Sequence, residues 1–490
     1  MRRRAWLILL MLFMAESAWA DTIVLKSGQR ISATNVTVEG DRVYYEAASG
    51  RTSVAKSEVE RIELGDPLNA GSKSDAASPA PADLPPLVPR VEVSGSNADA
   101  ARAAVRDGAV DGNYLARLED EARSGGAPAV TRLAVAYDSA ALFEFKRGNM
   151  EQALYYLRHG VDAAPEHTSL WLNLGRLQLR RGEYSVALDS LERAQQLAPN
   201  NADAALLLGL AYHRTNHLDR TVEEWRRAQL LRPSLGLQGE IARAARELEE
   251  ERAFRAEESN HFALRYSGSA TAMFLPGEVL RVLESHFRDL ETQLNFTPPE
   301  TIAVILYTDQ AFSDITGMPS WAGAANDGRI RVPVHGLASV DDRLSRTLKH
   351  ELTHSFLYQK TGGLCPTWLH EGMAQWMAGD RSKKTAIALA GAIEKRQARA
   401  QNSGDTAVAA GPLEGQWGQL STDQAEVLYM LSLAMVETII GTNGMGDIER
   451  LLDAIPAQPS IEAALRSTLG MDYAALQKQT AAYLRRTYPP

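Results

Sequence analysis

Two histidines stand four residues apart in the stretch HELTH, with a glutamate directly after the first. On a helix, His350 and His354 would project from the same face, because positions i and i+4 are neighbours there. The apolar residues of such a helix fall on roughly the opposite side: Leu344, Leu348, Leu352 and Phe356. Neutral imidazoles are preferred zinc ligands, and Glu351 stands where a carboxylate can accept a proton from an attacking water molecule. The stretch therefore predicts a metal-dependent hydrolytic site.

The third metal ligand must come from another part of the chain, since a catalytic zinc ion takes three protein ligands and one water molecule. The longer motif HExxHxxGxxH is excluded, because Leu357 replaces its glycine and Lys360 replaces its last histidine. Glu371, in WLHEGMAQW, follows His354 after a break that contains glycine and proline. Two antiparallel helices joined by that break would bring its carboxylate to the metal. His370, a good ligand type one residue earlier, is the alternative.

The two motifs HELTH and WLHEGMAQW resemble those of the gluzincins, the peptidase-MA-like zinc metallopeptidases, over about residues 258–488. The resemblance implies an α+β zincin-like peptidase domain with a helical C-terminal part. It also implies that His350, His354 and Glu371 bind Zn²⁺ and that Glu351 is the general base. Such an enzyme hydrolyses peptide bonds with an activated water molecule.

Two further features of the sequence relate to this resemblance. The strand expected at Gly328–Val334 resembles the edge strand along which gluzincins align an extended peptide. Thermolysin-like members carry an aspartate four residues after the ligand glutamate, whereas this chain has Gln375. An amide can accept a hydrogen bond but adds no charge. We therefore expect weaker metal binding here, or that another acid such as Asp380 takes the role of this aspartate.

Hydrolysis also requires a hydrogen-bond donor for the developing oxyanion. Many gluzincins supply it from a tyrosine or histidine beyond the ligand glutamate, which points to Tyr429. Ser421 and Gln424 can form a capping box at the start of its helix. The alternative is that Tyr429 is a buried aromatic residue among apolar neighbours. His335, after the expected edge strand, is a weaker candidate for the donor.

The sequence around these residues predicts the elements that would position them. Strand composition occurs at 261–268 and 300–308, with helical spacing at 277–294 between them. Helices are expected at about 341–359 and 367–378, on either side of the break. The helical remainder of the chain would close one side of the cleft. The glycine-containing segment 395–420 is expected to form a loop near the site.

A 34-residue repeat precedes this domain. Pro165, Pro199 and Pro233 recur at that interval, and Ala153 and Ala187 recur in phase with them. This period resembles the tetratricopeptide repeat, in which small residues stand where two helices cross. Three copies are expected at about 134–167, 168–201 and 202–235, inside an all-α array at 99–257 that ends in a capping helix from Leu237 to about Glu257. Such arrays bind proteins or peptides on a concave face, and a generic helical bundle is the alternative.

The first 98 residues predict export, a small β module and a linker. Arg2–Arg4, a short apolar run and Ala18–Ala20 form a cleavable signal peptide at 1–20, with an uncleaved anchor as the alternative. Residues 21–65 alternate apolar and polar side chains between turn signals, which predicts a small all-β module. Residues 66–98 are rich in proline, alanine and serine, which predicts a linker.

Composition limits the classes of function. The chain has 490 residues, enough for roughly two to four domains. Its net charge of −9 gives no electrostatic reason to expect a nucleic-acid partner. Its single cysteine, Cys365, cannot form an intrachain disulfide, so stability must come from packing.

Together these features predict a multidomain, exported zinc metallopeptidase, periplasmic or secreted, with no stable membrane anchor. Its repeats would recruit a protein partner or a protein or peptide substrate. The alternative is a non-catalytic scaffold that binds proteins through its repeats and carries a degenerate or structural zinc domain.

Overall fold

The computed structural model describes residues 21–26, 30–39, 42–47, 50–63, 96–316, 324–334, 336–391, 393–394, 422–458 and 460–489. The predicted signal peptide at 1–20, the candidate donor His335 and the predicted loop at 395–420 lie outside these residues. The chain divides into two compact units, Met1–Gly71 and Ser72–Pro490.

The first unit contains an antiparallel five-stranded sheet. Its strands are β1 (Asp21–Leu25), β2 (Arg30–Glu39), β3 (Arg42–Ala47), β4 (Gly50–Ala55) and β5 (Val59–Glu63). Their order is β4-β3-β2-β1-β5, so the last strand returns to pair with the first. Val43 and Tyr45 are both buried, as the two-residue period of a strand with one covered face requires. The small all-β module expected for this region is confirmed.

Paired helices at a 34-residue interval form the repeat array. The pairs are α3 (Gly126–Lys146) with α4 (Met150–Ala163), α5 (Thr168–Arg180) with α6 (Tyr184–Leu197), and α7 (Ala202–Arg214) with α8 (Leu218–Leu231). The second helix of each pair ends two residues before Pro165, Pro199 or Pro233, because a residue preceding proline avoids the α conformation. A Cβ on Gly209 would lie 2.2 Å from the Trp225 ring, so the last pair can cross closely only with glycine there. The predicted period is confirmed.

Further elements flank the three pairs. Before them lie α1 (Ser96–Ala103), the hairpin of β6 (Val105–Arg106) and β7 (Ala109–Val110), and α2 (Gly112–Ser124); after them lies α9 (Gln238–Glu251). Helix α1 begins inside the predicted linker, because Ala100 is buried where α1 packs on α3; residues 66–95 of that linker lie outside the described residues. The prediction of one capping helix from Leu237 to Glu257 is wrong at its end. Arg255–Glu258 pair with the following strand instead of continuing the helix.

A mixed sheet with helices forms the domain that carries the two histidines. Its elements are β8 (Arg255–Glu258), β9 (Phe262–Tyr266), α10 (Leu275–Leu294), β10 (Ile302–Tyr307), α11 (Asp309–Thr316), β11 (Ala325–Asn326), β12 (Ile330–Pro333), α12 (Asp342–Lys360) and α13 (Thr367–Met377). The strand order is β11-β12-β10-β9-β8, with β10 parallel to both of its neighbours. Strand β10 is buried along its whole length, as a parallel strand covered on both faces should be. The strands and helices predicted from the sequence are therefore present in an α+β arrangement.

The prediction that Gly328–Val334 forms an edge strand is wrong. Strand β12 lies second from the edge, because β11 folds back antiparallel and pairs with its first half. The reversal occurs at Gly328, whose φ of 96° is costly for other residues. All four residues of β12 are buried. Arg331 within the strand and Arg329 just before it both find carboxylate partners inside the fold. The edge position belongs to Ala325–Asn326.

The C-terminal part is helical, as predicted. It comprises helical residues 386–391 and the helices α14 (Thr422–Asn443), α15 (Met445–Ala454), α16 (Ile461–Leu469) and α17 (Tyr473–Thr487). Helix α14 approaches α13 so closely that a Cβ on Gly372 would lie 2.4 Å from the Ser432 carbonyl oxygen. Over the described ranges, no helix taken alone has the length and apolar composition to cross a membrane. One pair of helices meets these criteria of length and composition only when both are counted together: Val427–Asn443 and Met445–Ala457, which are bent by 117° at the break between them.

The array and the α+β domain belong to one compact unit. The turns within the three helix pairs carry Gly148, Gly182 and Asn216, which stand 34 residues apart and all have positive φ. At both glycines a Cβ would collide with the α+β domain, and at Gly182 the nearest atom belongs to Gln359 of α12. The Asn216 side-chain oxygen accepts a hydrogen bond from Arg329 (2.6 Å). The turn edge of the array is therefore packed against the domain that carries the histidines.

A cluster of buried charges, here called the interface cluster, lies where the third helix pair and α9 meet β12. Glu247 accepts hydrogen bonds from both Arg329 and Arg331, and Asp327 pairs with Arg331. The His213 ring lies 2.8 Å from the Arg329 guanidinium. Burial, followed by the positive charge of Arg329, holds the pKa of His213 well below its usual value. All five side chains are buried, and two arginines balance two carboxylates.

Candidate metal centre

Helix α12 is oriented by its cap and its apolar face. The Asp341 side chain at the N-cap accepts a hydrogen bond from the Leu344 backbone N–H (2.7 Å). The stripe predicted from the sequence is buried in the main apolar core: Leu344, Leu348, Leu352 and Phe356. Burial of that stripe fixes the rotation of the helix about its axis. His350 and His354 consequently face α13.

The turn after α12 brings the next helix back to the histidines. Gly362 (φ 59°) and Gly363 (φ 70°) adopt left-handed conformations that reverse the chain. Helix α13 is then fixed from its other side, because the Trp368 indole N–H donates to the Tyr473 hydroxyl (3.0 Å). This arrangement directs the buried carboxylate of Glu371 at α12.

Three donor groups converge between α12 and α13. The Nε2 atom of His350 lies 3.8 Å from one carboxylate oxygen of Glu371, and the Nε2 atom of His354 lies 3.7 Å from the other. The ligand atoms of these three residues all lie within 4.8 Å of one another. Zinc–ligand bonds of about 2.0–2.2 Å separate neighbouring tetrahedral ligands by roughly 3.3–3.6 Å. The separations of 3.7 and 3.8 Å lie within a few tenths of an ångström of that spacing. A separation of up to 4.8 Å would have to shorten by about 1 Å for the three atoms to hold one cation tetrahedrally.

The protonation of the histidines suits metal binding. Burial, followed by the charge of His370, lowers the pKa of His350 to about 4. Burial likewise holds the pKa of His354 well below its usual value, with smaller contributions from His370 and His350. Both rings are therefore neutral near pH 7, which is the form that donates a lone pair to a metal ion.

The candidate base Glu351 directly follows His350 on α12, and it is 4% exposed. Its backbone carbonyl accepts a hydrogen bond from the Asn326 side-chain amide (2.7 Å), which also donates to the Ser355 hydroxyl (2.8 Å). Asn326 belongs to the edge strand β11, so this amide ties that strand to the helix of the metal centre. The role of Asn326 could not be predicted from the sequence, because a two-residue strand shows no periodicity.

Of the two candidates for the third ligand, Glu371 faces the Nε2 atoms of both histidines, whereas His370 contacts the other ring nitrogen of His354. The Nδ1 atom of His370 lies 2.9 Å from the Nδ1 atom of His354, on the side of that ring away from Glu371. The two rings stack, with centroids 4.5 Å apart and planes 17° from parallel. Burial lowers the pKa of His370 to about 4, so it too is neutral near pH 7.

Gln375 stands at the position of the aspartate of thermolysin-like enzymes, and Asp380 is the other acid that could take its role. The Gln375 side-chain amide donates to the backbone carbonyls of Glu371 and Tyr429, both at 3.3 Å. Asp380 lies near Arg346 and Arg381, although burial dominates and raises its pKa. The side-chain N–H groups of Gln375 thus bond to the backbone.

Two further residues singled out in the sequence lie close to the ligand helix α13. Tyr429 of α14 is 8% exposed and belongs to the main apolar core, and its carbonyl oxygen contacts Gln375. Burial, followed by the negative charge of Glu371, strongly raises the pKa of Cys365, so the thiol stays protonated. A protonated, partly buried thiol is a poor nucleophile and a poor metal ligand.

The array contributes side chains close to the centre. A cavity of about 40 Å³ lies beside His354 and His370, and Tyr184 and Arg214 of the array also line it. The Arg214 guanidinium lies over the ring of Tyr358 on α12, 5.7 Å from its centroid. The third helix pair therefore reaches the surroundings of the metal centre itself.

Comparison with known proteins supports the repeats. The tetratricopeptide repeat family matches residues 139–202 and, overlapping them, 172–229. The solved structure named MamA MSR-1 C2 is 18% identical over 28% of this chain and 85% of that one, with a TM-score of 0.22, too low to support any inference. No curated protein matches the chain, and no peptidase family was found. The chain thus carries a tetratricopeptide array, a module for protein–protein interaction.

Proposed function

We propose that this protein is a zinc-dependent peptidase whose repeat array binds a protein partner or substrate. One observation carries the proposal: the Nε2 atoms of His350 and His354 lie 3.7–3.8 Å from the two carboxylate oxygens of Glu371. Two neutral imidazoles and one carboxylate are a donor set typical of catalytic zinc. When bound, zinc would polarise the scissile carbonyl and make a water molecule more acidic.

Glu351 is the general base in this proposal. It is adjacent to the ligand His350, and its burial excludes bulk water from the carboxylate. Glu351 accepts a proton from the attacking water molecule and delivers it to the leaving amine. Tyr429 is the proposed hydrogen-bond donor to the developing oxyanion, since its helix packs along the helix of Glu371.

The substrate is an extended peptide or a flexible protein segment. Strand β11 is the edge of the mixed sheet, and an edge strand can pair with an added peptide strand. Asn326 connects β11 to the Glu351 carbonyl, so a peptide paired with this edge would run past the base. The aligning role therefore goes to Ala325–Asn326, in place of the β12 residues indicated by the sequence.

The array is proposed to fix a bound protein relative to the metal centre. Its turn edge packs on α12 at Gly182 and Gln359, so the two parts have a defined relation, while concave faces of such arrays bind protein segments. The signal-like segment at 1–20 supports the further proposal that the protein acts after export, in the periplasm or outside the cell.

Metal analysis combined with cleavage assays on a Glu351→Gln variant tests the proposal. We expect about one zinc ion per chain in both proteins, and cleavage of casein or a mixed peptide library by the wild type alone. Loss of a general base lowers the rate by about 10²–10⁴-fold. The matched control is Glu300→Gln, which removes a partly buried carboxylate bound to Ser185 of the array. This variant should retain activity.

A non-catalytic scaffold is the second candidate, and the family match favours it because the match is confined to the repeats. In that case zinc would stabilise the domain, and proteins would bind to the array without being cut. The same experiment separates the two candidates. Stoichiometric zinc without any Glu351-dependent cleavage would favour the scaffold over the peptidase.

A further inference from the structure

The ligand histidine His354 needs a partner for its second ring nitrogen. A metal-ligating histidine is held in its tautomer and orientation by the hydrogen bond of the nitrogen that does not face the metal. Here Nε2 faces Glu371, so Nδ1 is the nitrogen to be held. The residue four positions after Glu371 is Gln375, and its amide donates to two backbone carbonyls. The residue at the position that makes this hydrogen bond in thermolysin-like enzymes is therefore bonded to the backbone in this chain.

His370 occupies the place of that partner. Its Nδ1 atom lies 2.9 Å from the Nδ1 atom of His354. It belongs to the first turn of α13, where its backbone N–H bonds to the Pro366 carbonyl (3.0 Å). The next residue is Glu371, so one short segment would supply both a metal ligand and the support for another ligand. Since α13 is anchored through Trp368 and Tyr473, the position of this ring is fixed by the packing of the domain.

We propose that His370 is a positioning residue, whose Nδ1 accepts the Nδ1–H of His354 and so aims the Nε2 atom of His354 at the metal. The inference rests on the proposed function, because it presupposes a metal ion between His350, His354 and Glu371. Coordination through Nε2 leaves the proton of His354 on Nδ1. His370 must then present an unprotonated Nδ1 and carry its own proton on Nε2. An imidazole in this role orients the ligand as a carboxylate would, but it adds no negative charge.

Zinc affinity of three variants at position 370 tests the assignment. Apo protein is titrated with zinc in competition with a chelating dye of known affinity. His370→Leu removes the acceptor and should weaken zinc binding by about 10–100-fold, the usual effect of losing such a partner. His370→Asn places its side-chain oxygen near the position of Nδ1 and should stay within about threefold of the wild type. His370→Gln extends its polar atoms towards the position of Nε2 and should resemble the leucine variant.

Two controls separate positioning from general destabilisation. Thermal unfolding of the apo proteins should be similar for all four, because the inferred role concerns the metal-loaded state. In Co²⁺-substituted protein, the visible absorption reports ligand geometry; it should change in His370→Leu and be restored in His370→Asn. Equal zinc affinity in wild type and His370→Leu would overturn the inference alone. Equal weakening in the leucine and asparagine variants would also overturn it, by indicating a volume effect. Absence of zinc binding by the wild type would instead overturn the proposed function.

Discussion

The candidate metal centre, formed by His350, His354 and Glu371, and the interface cluster are two largely buried groups of polar side chains that differ in charge balance. In the interface cluster, the positive charges of two arginines are matched by Glu247 and Asp327 within the protein. In the metal centre, neutral His350 and His354 face the carboxylate of Glu371. Burying a charge is costly unless it is paired or coordinates a metal. A group completed by its own residues indicates a structural role, whereas a group that a cation would complete indicates a binding site.

The largest expected effect comes from removing one carboxylate of the interface cluster. Glu247→Ala leaves Arg329 and Arg331 buried beside only one carboxylate. Removing one partner of a buried ion pair costs about 3–5 kcal/mol, so the urea midpoint should fall sharply or the protein should fail to accumulate. The matched control is Glu223→Ala, which breaks the exposed pair with Arg220 and should leave the midpoint unchanged. A small effect of Glu247→Ala would mean that the interface cluster does not anchor the array.

The second prediction concerns the group that a cation would complete. Zinc at about a hundredfold above its Kd should stabilise the folded protein by about 3 kcal/mol, because it binds the native state. Glu371→Gln removes one ligand and should abolish most of this gain while leaving the apo protein close to wild type. Denaturant unfolding with zinc and with a chelator measures both quantities. Equal zinc stabilisation of wild type and Glu371→Gln would argue that the ion binds elsewhere.

The two groups also differ in how far the sequence predicts them. His350, His354 and Glu371 lie within 22 consecutive residues, and helical spacing together with one turn was enough to predict their convergence. The choice of Glu371 over His370 also came from the motif alone. The contact between His370 and His354 could not be predicted, because the orientation of the His370 ring depends on how α13 packs against α14 at Gly372.

The interface cluster could not be predicted, because its partners are distant in sequence. Arg329 and Arg331 stand in the strand-like stretch GRIRVPV, where alternating charges favour a strand with one exposed face. They are buried instead because Glu247, on a helix assigned to a different domain, accepts hydrogen bonds from both. The same contacts explain why β12 is not the edge strand. Local patterns predicted each repeat and the strands β9, β10 and β12, but not β8, β11 or the contacts between the two regions.

The third prediction concerns the pH dependence of stability at one residue of each group, His350 and Glu247. In chelator, the folded protein holds His350 at a pKa of about 4, lowered from 6.5, so unfolding takes up a proton between these values. His350 should therefore contribute a fall of roughly 2–3 kcal/mol in stability as pH drops from 6.5 to 4. His354, His370 and His213, whose pKa values burial also lowers, add further losses as pH falls below 6.5. The pKa of Glu247 is lowered from 4.5 to about 2 by Arg329 and Arg331, which outweigh its burial. Its contribution is present above pH 4.5 and is lost as pH falls towards 2, by a similar amount.

Variants assign these two pH windows. Subtracting the stability curve of His350→Asn from that of the wild type should isolate the step between pH 6.5 and 4. The same subtraction with Glu247→Gln should isolate the step below pH 4.5. Urea unfolding at half-unit pH intervals provides both curves. A His350 difference curve that is flat above pH 4 would contradict the burial-driven lowering of its pKa.

The smallest expected effect concerns Asn216, the one position of the 34-residue turn series that is not glycine. Its φ of 58° is strained for a side chain, yet its oxygen accepts a hydrogen bond from Arg329. Asn216→Gly relieves the strain, worth about 1 kcal/mol, and loses a bond to a charged donor, worth about 1.5–3 kcal/mol. The net loss should be about 1 kcal/mol by urea unfolding. Asn295→Gly is the control, since Asn295 has a φ of 46° at the end of α10 and should be neutral or slightly stabilised by glycine. Equal responses at the two positions would mean that the bond to Arg329 contributes little and that Glu247 and His213 hold this arginine in place.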